Sequence, residues 1–240
     1  MYFQKVMNGT FNSLRMSKRG YRHFAAMEGL FYNSLGKYRV MSANNFSIDI
    51  SKLHKEFRLT RFVRDPRDLV VSGYYYHLRG AEPWFRHQQP TARYWSPING
   101  NVPIGIPPNY SYSEFLKEIS QEEGLIAEIE FRKYHFKSML EWPEDDRIKV
   151  FRYEDIVGNE SEVFSEILRF YECNAFERKF GVWLADRFSS KNTRKKNAHI
   201  RNSSAGQWRK YFTPKVNSYF TERYGKLIEA LGYEGQNQSG

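Results

Sequence analysis

The residues most able to do chemistry lie in one run, Arg61 to His77, RFVRDPRDLVVSGYYYH. An apolar segment, Phe57 to Val63, reads as a buried strand and delivers the chain to Arg64. A helix should start at once. Asp65 is a good N-cap, Pro66 suits the first helical position, and Asp68 falls in the first turn, where acids are favoured. The unbonded N–H groups of a helix start, beside an arginine, make an anion site. Ser72 follows Arg64 by eight residues, almost two turns into the helix. A guanidinium and a hydroxyl so placed could hold one phosphate, the arginine through a forked, charge-assisted bond. The plainer reading is a well-capped helix with a solvated arginine, because Asp-Pro helix starts are common. Spacing alone does not choose.

Two further runs could meet an anion. Arg201 to Thr213, RNSSAGQWRKYFT, follows Lys191, Arg194, Lys195 and Lys196; from Lys191 to Lys210 there are seven Lys or Arg and no acid. A charge run is usually a solvated loop. The functional reading of Ser189 to Lys210 is a basic flap over an anionic ligand, anchored by Trp208. At the N-terminus, Tyr2 to Met7 reads as a first strand and Asn8-Gly9-Thr10 as a turn, the layout of a phosphate cradle. The spacing is not that of a Walker A loop.

These residues need a scaffold. The chain has 240 residues, 40% hydrophobic and 17% aromatic, enough for a real core in one domain spanning 1–240. Tyr21 to Leu35 reads as a helix, with Phe24, Met27, Leu30 and Phe31 spaced by threes and fours. Tyr38 to Ala43 and Arg147 to Arg152 read as strands. Ser113 to Leu140, Ser161 to Tyr171, Ala175 to Phe188 and Pro214 to Leu231 read as helices, the last stopped at Gly232. Strands alternating with helices predict an α/β fold, a central parallel sheet flanked by helices. Gly80 to Pro108 carries six prolines with Trp84 and Trp95. It is expected to be a packed loop rather than a solvated linker.

In order and spacing, the three runs resemble the sulfotransferases that use 3′-phosphoadenosine 5′-phosphosulfate (PAPS). Arg64-Asp65-Pro66-Arg67-Asp68 followed by Ser72 looks like that family's 3′-phosphate loop. Val150 to Asp155 is similar to its strand ending in Tyr-Glu-Asp. Arg201, Gly206, Trp208, Arg209, Phe212 and Thr213 match its C-terminal signature in register. The likeness runs from Tyr2 to Tyr233. It implies a sulfotransferase-like fold with a P-loop-like phosphate-binding turn, and transfer of a sulfonate from PAPS to a hydroxyl or amine. Arg64, Ser72 and Arg201 would hold the 3′-phosphate, with Asn202 and Ser203 beside them. Asn8, Gly9, Thr10 and Phe11 would present N–H groups to the 5′-phosphosulfate, and Lys5 would be both a donor contact and the catalytic cation.

The departures bear on catalysis. Met7 stands where the family usually has lysine, so either Lys5 reaches in from a shifted loop or that cation is missing. Asn202 and Ser203 replace the Lys-Gly of the signature. Ser42 to Phe46 contains none of the chain's six histidines, where many members carry a catalytic His; the general base is unassigned.

The remaining features narrow the alternatives. A net charge of +10 calls for an anionic partner. No H-x-x-x-H pair occurs and Cys173 is the single cysteine, which argues against a zinc site and fits a reducing, cytoplasmic setting. No stretch approaches a bilayer span or a signal peptide. Expected partners are the donor and a small-molecule or saccharide acceptor. A degenerate sulfotransferase that binds nucleotide without transfer is the first rival. A nucleic-acid module using the basic run is the second, weakened by the lack of any recognisable motif.

Overall fold

The computed structural model describes residues 2–13, 20–25, 27–44, 47–193 and 205–234. They gather into two compact units. The first comprises Met1–Val63 with Pro143–Ser203, the second Arg64–Trp142 with Ser204–Gly240.

The first unit opens with a helix, α1 (Tyr2–Asn12), followed by β1 (Tyr21–Ala25), α2 (Glu28–Tyr32), β2 (Val40–Asn44) and β3 (Leu59–Val63). After the second unit's first segment come β4 (Ile148–Arg152), α8 (Tyr153–Ile156), α9 (Glu160–Phe170), α10 (Ala175–Arg187) and α11 (Ser190–Thr193). Both strand pairs are parallel: β1 with β2, His23 opposite Ser42, and β3 with β4, Phe62 opposite Phe151. The protein is thus α/β, as its alternating pattern predicts. The core of this unit gathers Val6, Met7 and Phe11 of α1 with Val40, Phe151, Ile167 and Leu184.

Two N-terminal expectations are corrected here. Tyr2 to Met7 is not a strand and Asn8-Gly9-Thr10 is not a turn; all belong to α1. Val6, Met7, Thr10 and Phe11 recur by threes and fours and are all buried. That apolar stripe outweighs the turn preference of Asn-Gly. Gly9 has a packing reason instead, since a β-carbon there would come within 2.6 Å of Leu184 Cδ1 on α10. Tyr21 to Leu35 is likewise not one helix. Its first five residues form β1, and Met27 and Leu30 of the supposed apolar stripe are exposed.

The second unit is built on α3 (Pro66–Leu78) and contains α4 (Ala92–Trp95), α5 (Tyr112–Glu118), α6 (Gln121–Phe131), α7 (Lys133–Leu140), α12 (Trp208–Tyr211) and α13 (Pro214–Ala230). The expected single helix from Ser113 to Leu140 is three. Ser111 and Ser120 each close a capping box, with Glu114 and Glu123, and so start α5 and α6, while α7 follows α6 after Arg132. Val70, Tyr74, Leu116, Leu125, Ile129, Phe136 and Phe220 are buried in its core. Gly80 to Pro108 is a packed loop: Trp95 is fully buried against Tyr112 and Phe131, with ring centroids 5.4 and 5.2 Å away. Among the described residues no helix is long and apolar enough to cross a membrane.

Candidate functional site

The Arg64 to Ser72 element forms as its sequence dictates. The Asp65 side chain accepts from the N–H of Arg67 at 2.9 Å, Pro66 occupies the first position of α3, and Asp68 lies in the first turn. Arg64 stands one residue before the cap and is half-buried. Ser72 is exposed on α3, about 9 Å along the axis from Pro66 at 1.5 Å per residue.

Between them, the motif's other charged residues turn inward. Arg67 is buried and grips Asp65 with two bonds, Nε to Oδ1 at 3.0 Å and Nη2 to Oδ2 at 2.8 Å. The same Nη2 donates to the carbonyl of Tyr233 at 3.2 Å. Its guanidinium lies 3.8 Å from the ring centre of Trp208, while that of Arg209 lies 4.8 Å from it. Trp208 packs edge-on against Phe212. These cation–π contacts gain strength because Trp208 is buried.

Asp68, only 1% exposed, makes the other internal tie. Oδ2 accepts from the N–H of Gly206 at 2.7 Å and Oδ1 from the N–H of Trp208 at 2.9 Å. Burial pushes its carboxyl above the usual carboxylate range. The two N–H donors and the Arg64 charge pull it back without cancelling that effect. The phosphate-loop motif and the C-terminal signature are therefore one structural object over residues 64–72 and 205–213. Gly206 has φ +75°, a conformation that penalises a β-carbon, and a β-carbon would also meet the Arg209 guanidinium. Thr213 caps α13 by accepting from Val216 N–H, and its hydroxyl bonds Glu122 on α6.

The other candidate residues fall as follows. Arg201, Asn202 and Ser203 lie outside the described residues. So does the centre of the proposed flap, 194–204. Lys5 and Asn8 are exposed on α1, Gly9 is half-buried, and Thr10 and Phe11 are buried. The Thr10 hydroxyl donates to the carbonyl of Val6 at 2.8 Å. Inside a helix, the N–H groups past the first turn are already bonded. Met7, which stands in place of the family's lysine, is wholly buried in the core. Trp208, expected as the flap's anchor, is buried against Arg67.

Of the histidines, His54 and His87 are exposed. His77 is structural, as its place on the helix suggests: Nδ1 pairs with Glu128 Oε2 at 2.7 Å. Glu128 is fully buried, and also accepts from Arg132 at 2.7 Å and from the Tyr112 hydroxyl at 3.2 Å. Sequence reasoning missed this network because Glu128 reads as one more helical acid. It also missed the inward turn of Arg67 and Asp68, which meet Trp208 and, for Asp68, Gly206, far downstream in the chain.

The match to the sulfotransferase domain family covers residues 42–232. None of the curated proteins compared with this chain matches it. Among solved structures, the mouse sulfotransferase SULT7A1, complexed with PAP, is similar at 14% identity and a TM-score of 0.55. That likeness covers 99% of this chain and 84% of the other. A retinol dehydratase in complex with androsterone and inactive cofactor PAP is more distant. It shows 13% identity and a TM-score of 0.43, over 94% of this chain and 64% of that one. With well over half its length matched to the family and a sulfotransferase-like fold, this chain belongs to the sulfotransferase family.

Proposed function

We propose that this chain transfers a sulfonate group from PAPS to a hydroxyl or amine acceptor, with Arg64 and Ser72 taking the donor's 3′-phosphate. The observation that carries the reading is the internal wiring of α3's N-terminus. Asp65, Arg67 and Asp68 are spent on one another, on Trp208 and on backbone groups. Arg64, half-buried one residue before the cap, and the exposed hydroxyl of Ser72 stand on the element so fastened.

The donor set fits a phosphate. A guanidinium offers a forked pair of N–H donors with a permanent charge, and a serine hydroxyl donates one more. When bound, PAPS supplies an activated sulfonate. The protein's share is then positioning and charge neutralisation, which carry most of the rate in transfers of charged groups. Asp68 contributes by holding the element's first turn against residues 206–208.

The test is calorimetric titration with 3′-phosphoadenosine 5′-phosphate, set against adenosine 5′-phosphate. Stranding a polar side chain built for the missing phosphate typically costs about 1–3 kcal/mol, roughly 5- to 150-fold in affinity. Equal affinity for the two nucleotides would remove Arg64 and Ser72 from the role.

A second reading is supported by one observation, the burial of Met7 where the family has its lysine. On that reading the chain binds the nucleotide without transferring the sulfonate. Tight, 3′-phosphate-dependent binding with no transfer to a broad panel of alcohols, amines and sugars would select it.

A further inference from the structure

Helix α10 carries an aromatic face that the fold leaves in solvent. Its inner face is fixed. Gly181, Leu184 and Ala185 are buried, and a β-carbon at Gly181 would come within 2.5 Å of Leu168 Cδ1 on α9 and 3.0 Å of Thr10 Oγ1 on α1. Glu177, also buried, closes the capping box with Asn174 and pairs with Arg39. The helix therefore cannot roll to bury its other side. On that side Phe176, Phe180, Trp183 and Arg187 follow at steps of four, three and four residues, one line along the helix. Phe176 is 54% exposed and Trp183 51%. The rings lie nearly parallel, Phe176 on Phe180 at 6.4 Å and 17°, Phe180 on Trp183 at 5.6 Å and 23°. The Arg187 guanidinium stands 5.3 Å from the Trp183 ring centre.

The ridge is basic. Lys179, one turn from Phe176 and Trp183 on the same side, is exposed, as is Arg187. Of the helix's two acids, Glu177 is buried in its ion pair, and Asp186 lies about 60° to the side of Trp183. Shape, area and charge together select the occupant. Rings stacked along the outside of a helix form a convex ridge, which offers no groove to a peptide or a small ligand. Half-exposed aromatic rings present about 100 Å² each, roughly 300 Å² in all, against the about 800 Å² per partner that a stable protein interface buries. A second copy of this chain would also bring two more cations to a face that is already basic. An anionic bilayer meets all three conditions. Its surface is soft enough to admit a shallow ridge, Trp and Phe settle at the headgroup level, and Lys and Arg meet the lipids' negative charge.

We propose that the ridge of Phe176, Phe180 and Trp183 on α10, with Lys179 and Arg187, docks this chain onto an anionic lipid surface. The contact is peripheral, and it stands independently of the transfer reading.

The experiment mixes the full chain with vesicles of phosphatidylcholine containing roughly one-third phosphatidylserine, and with vesicles of phosphatidylcholine alone. Uptake is read by cosedimentation, and insertion by quenching of tryptophan fluorescence with brominated acyl chains. The anionic vesicles should take up the protein about tenfold more strongly than the neutral ones, and less so as salt rises. Trp183→Ala should weaken uptake about tenfold and remove most of the quenching. Arg187→Gln should weaken uptake about fivefold. Two matched controls should leave it unchanged: Tyr134→Ala, an exposed aromatic of α7, and Lys226→Gln, an exposed charge of α13. All four side chains reach solvent, so the variants keep the fold, which thermal melts check. Equal uptake by the two vesicles, no uptake at millimolar lipid, unchanged uptake or quenching in Trp183→Ala, or an equal loss in Tyr134→Ala would each overturn the proposal. So would a dimer in sedimentation velocity that Trp183→Ala dissolves in a protein that no vesicle takes up, which would assign the ridge to a second copy of the chain.

Discussion

Asp68→Ala is the most informative single substitution. The wild-type carboxylate accepts from two backbone N–H groups, those of Trp208, in a buried setting, and Gly206, in a partly buried one. Removing it leaves both without an acceptor. An unsatisfied buried donor costs about 1–3 kcal/mol, and the partly buried one falls at the low end. Relief of the carboxylate's own burial offsets part of this, since that burial already pushes its titration upward. The net expectation is a loss of about 2–3 kcal/mol, or roughly 4–12 °C in Tm for a chain of this size. Urea unfolding should show a lower midpoint with an unchanged slope. Hydrogen exchange should accelerate at residues 206–212 before it does elsewhere. A variant with the wild-type midpoint and unaltered exchange at Gly206 and Trp208 would refute the claim that Asp68 ties the two motifs together.

Other expectations follow from the same geometry. With Asp68 raised by burial, its proton is bound more tightly in the folded state than in the unfolded chain. Its stabilising share is therefore complete below the usual carboxylate range, about pH 4, and is lost as pH rises through the raised value. Asp68→Asn should flatten the decline of the urea midpoint over that window. Gly206→Ala should cost about 1 kcal/mol or more from its positive φ, visible as a lower Tm and weakened 3′-phosphate discrimination. Glu128→Ala should cost about 3–5 kcal/mol, because it strands Arg132 and His77 in the interior, whereas Glu128→Gln should cost less; thermal melts of both decide this. Arg64→Ala should lower affinity for 3′-phosphoadenosine 5′-phosphate while leaving that for adenosine 5′-phosphate nearly unchanged, as read by calorimetry.

Where local rules decide a conformation, the sequence was a good guide. Asp65-Pro66 starts α3, Thr213-Pro214 starts α13, and Gly232 follows its end, because caps and proline act within a few residues. Strands β2, β3 and β4 stood out as short apolar runs between turn signals. The failures have one physical origin: a pattern that fits two structures until tertiary contacts choose. Phe24, Met27, Leu30 and Phe31 fit a helix. Yet Phe24 is buried in a strand beside β2, and Met27 and Leu30 are left in solvent. Asn8-Gly9 fits a turn, but the stripe through Val6, Met7, Thr10 and Phe11 has α10 to bury against. Ser111 and Ser120, each three residues before a glutamate, both close capping boxes inside the stretch that reads as one helix from Ser113 to Leu140 or at its edge.

The candidate site was legible in a narrower way. The Arg-Asp-Pro-Arg-Asp run announces four charged residues around a helix start, and either arginine could be assigned to an anion. The fold divides them. Arg67 and Asp65 neutralise one another in the interior, and Asp68 is consumed by two N–H groups beyond residue 205. None of those partners is near in sequence except Asp65, so spacing could not show which charges are structural. On the proposed reading, the division also explains why a motif for one phosphate carries so many charges. A lone arginine before a helix would keep its rotamer freedom and would have to lose it on binding. Here the helix start is fastened at Arg67 to Trp208 and Tyr233, and at Asp68 to Gly206 and Trp208. If Arg64 and Ser72 take the 3′-phosphate as proposed, the residues that do not touch it lower the entropic cost of holding it, and Asp68 acts on binding through where it places those two.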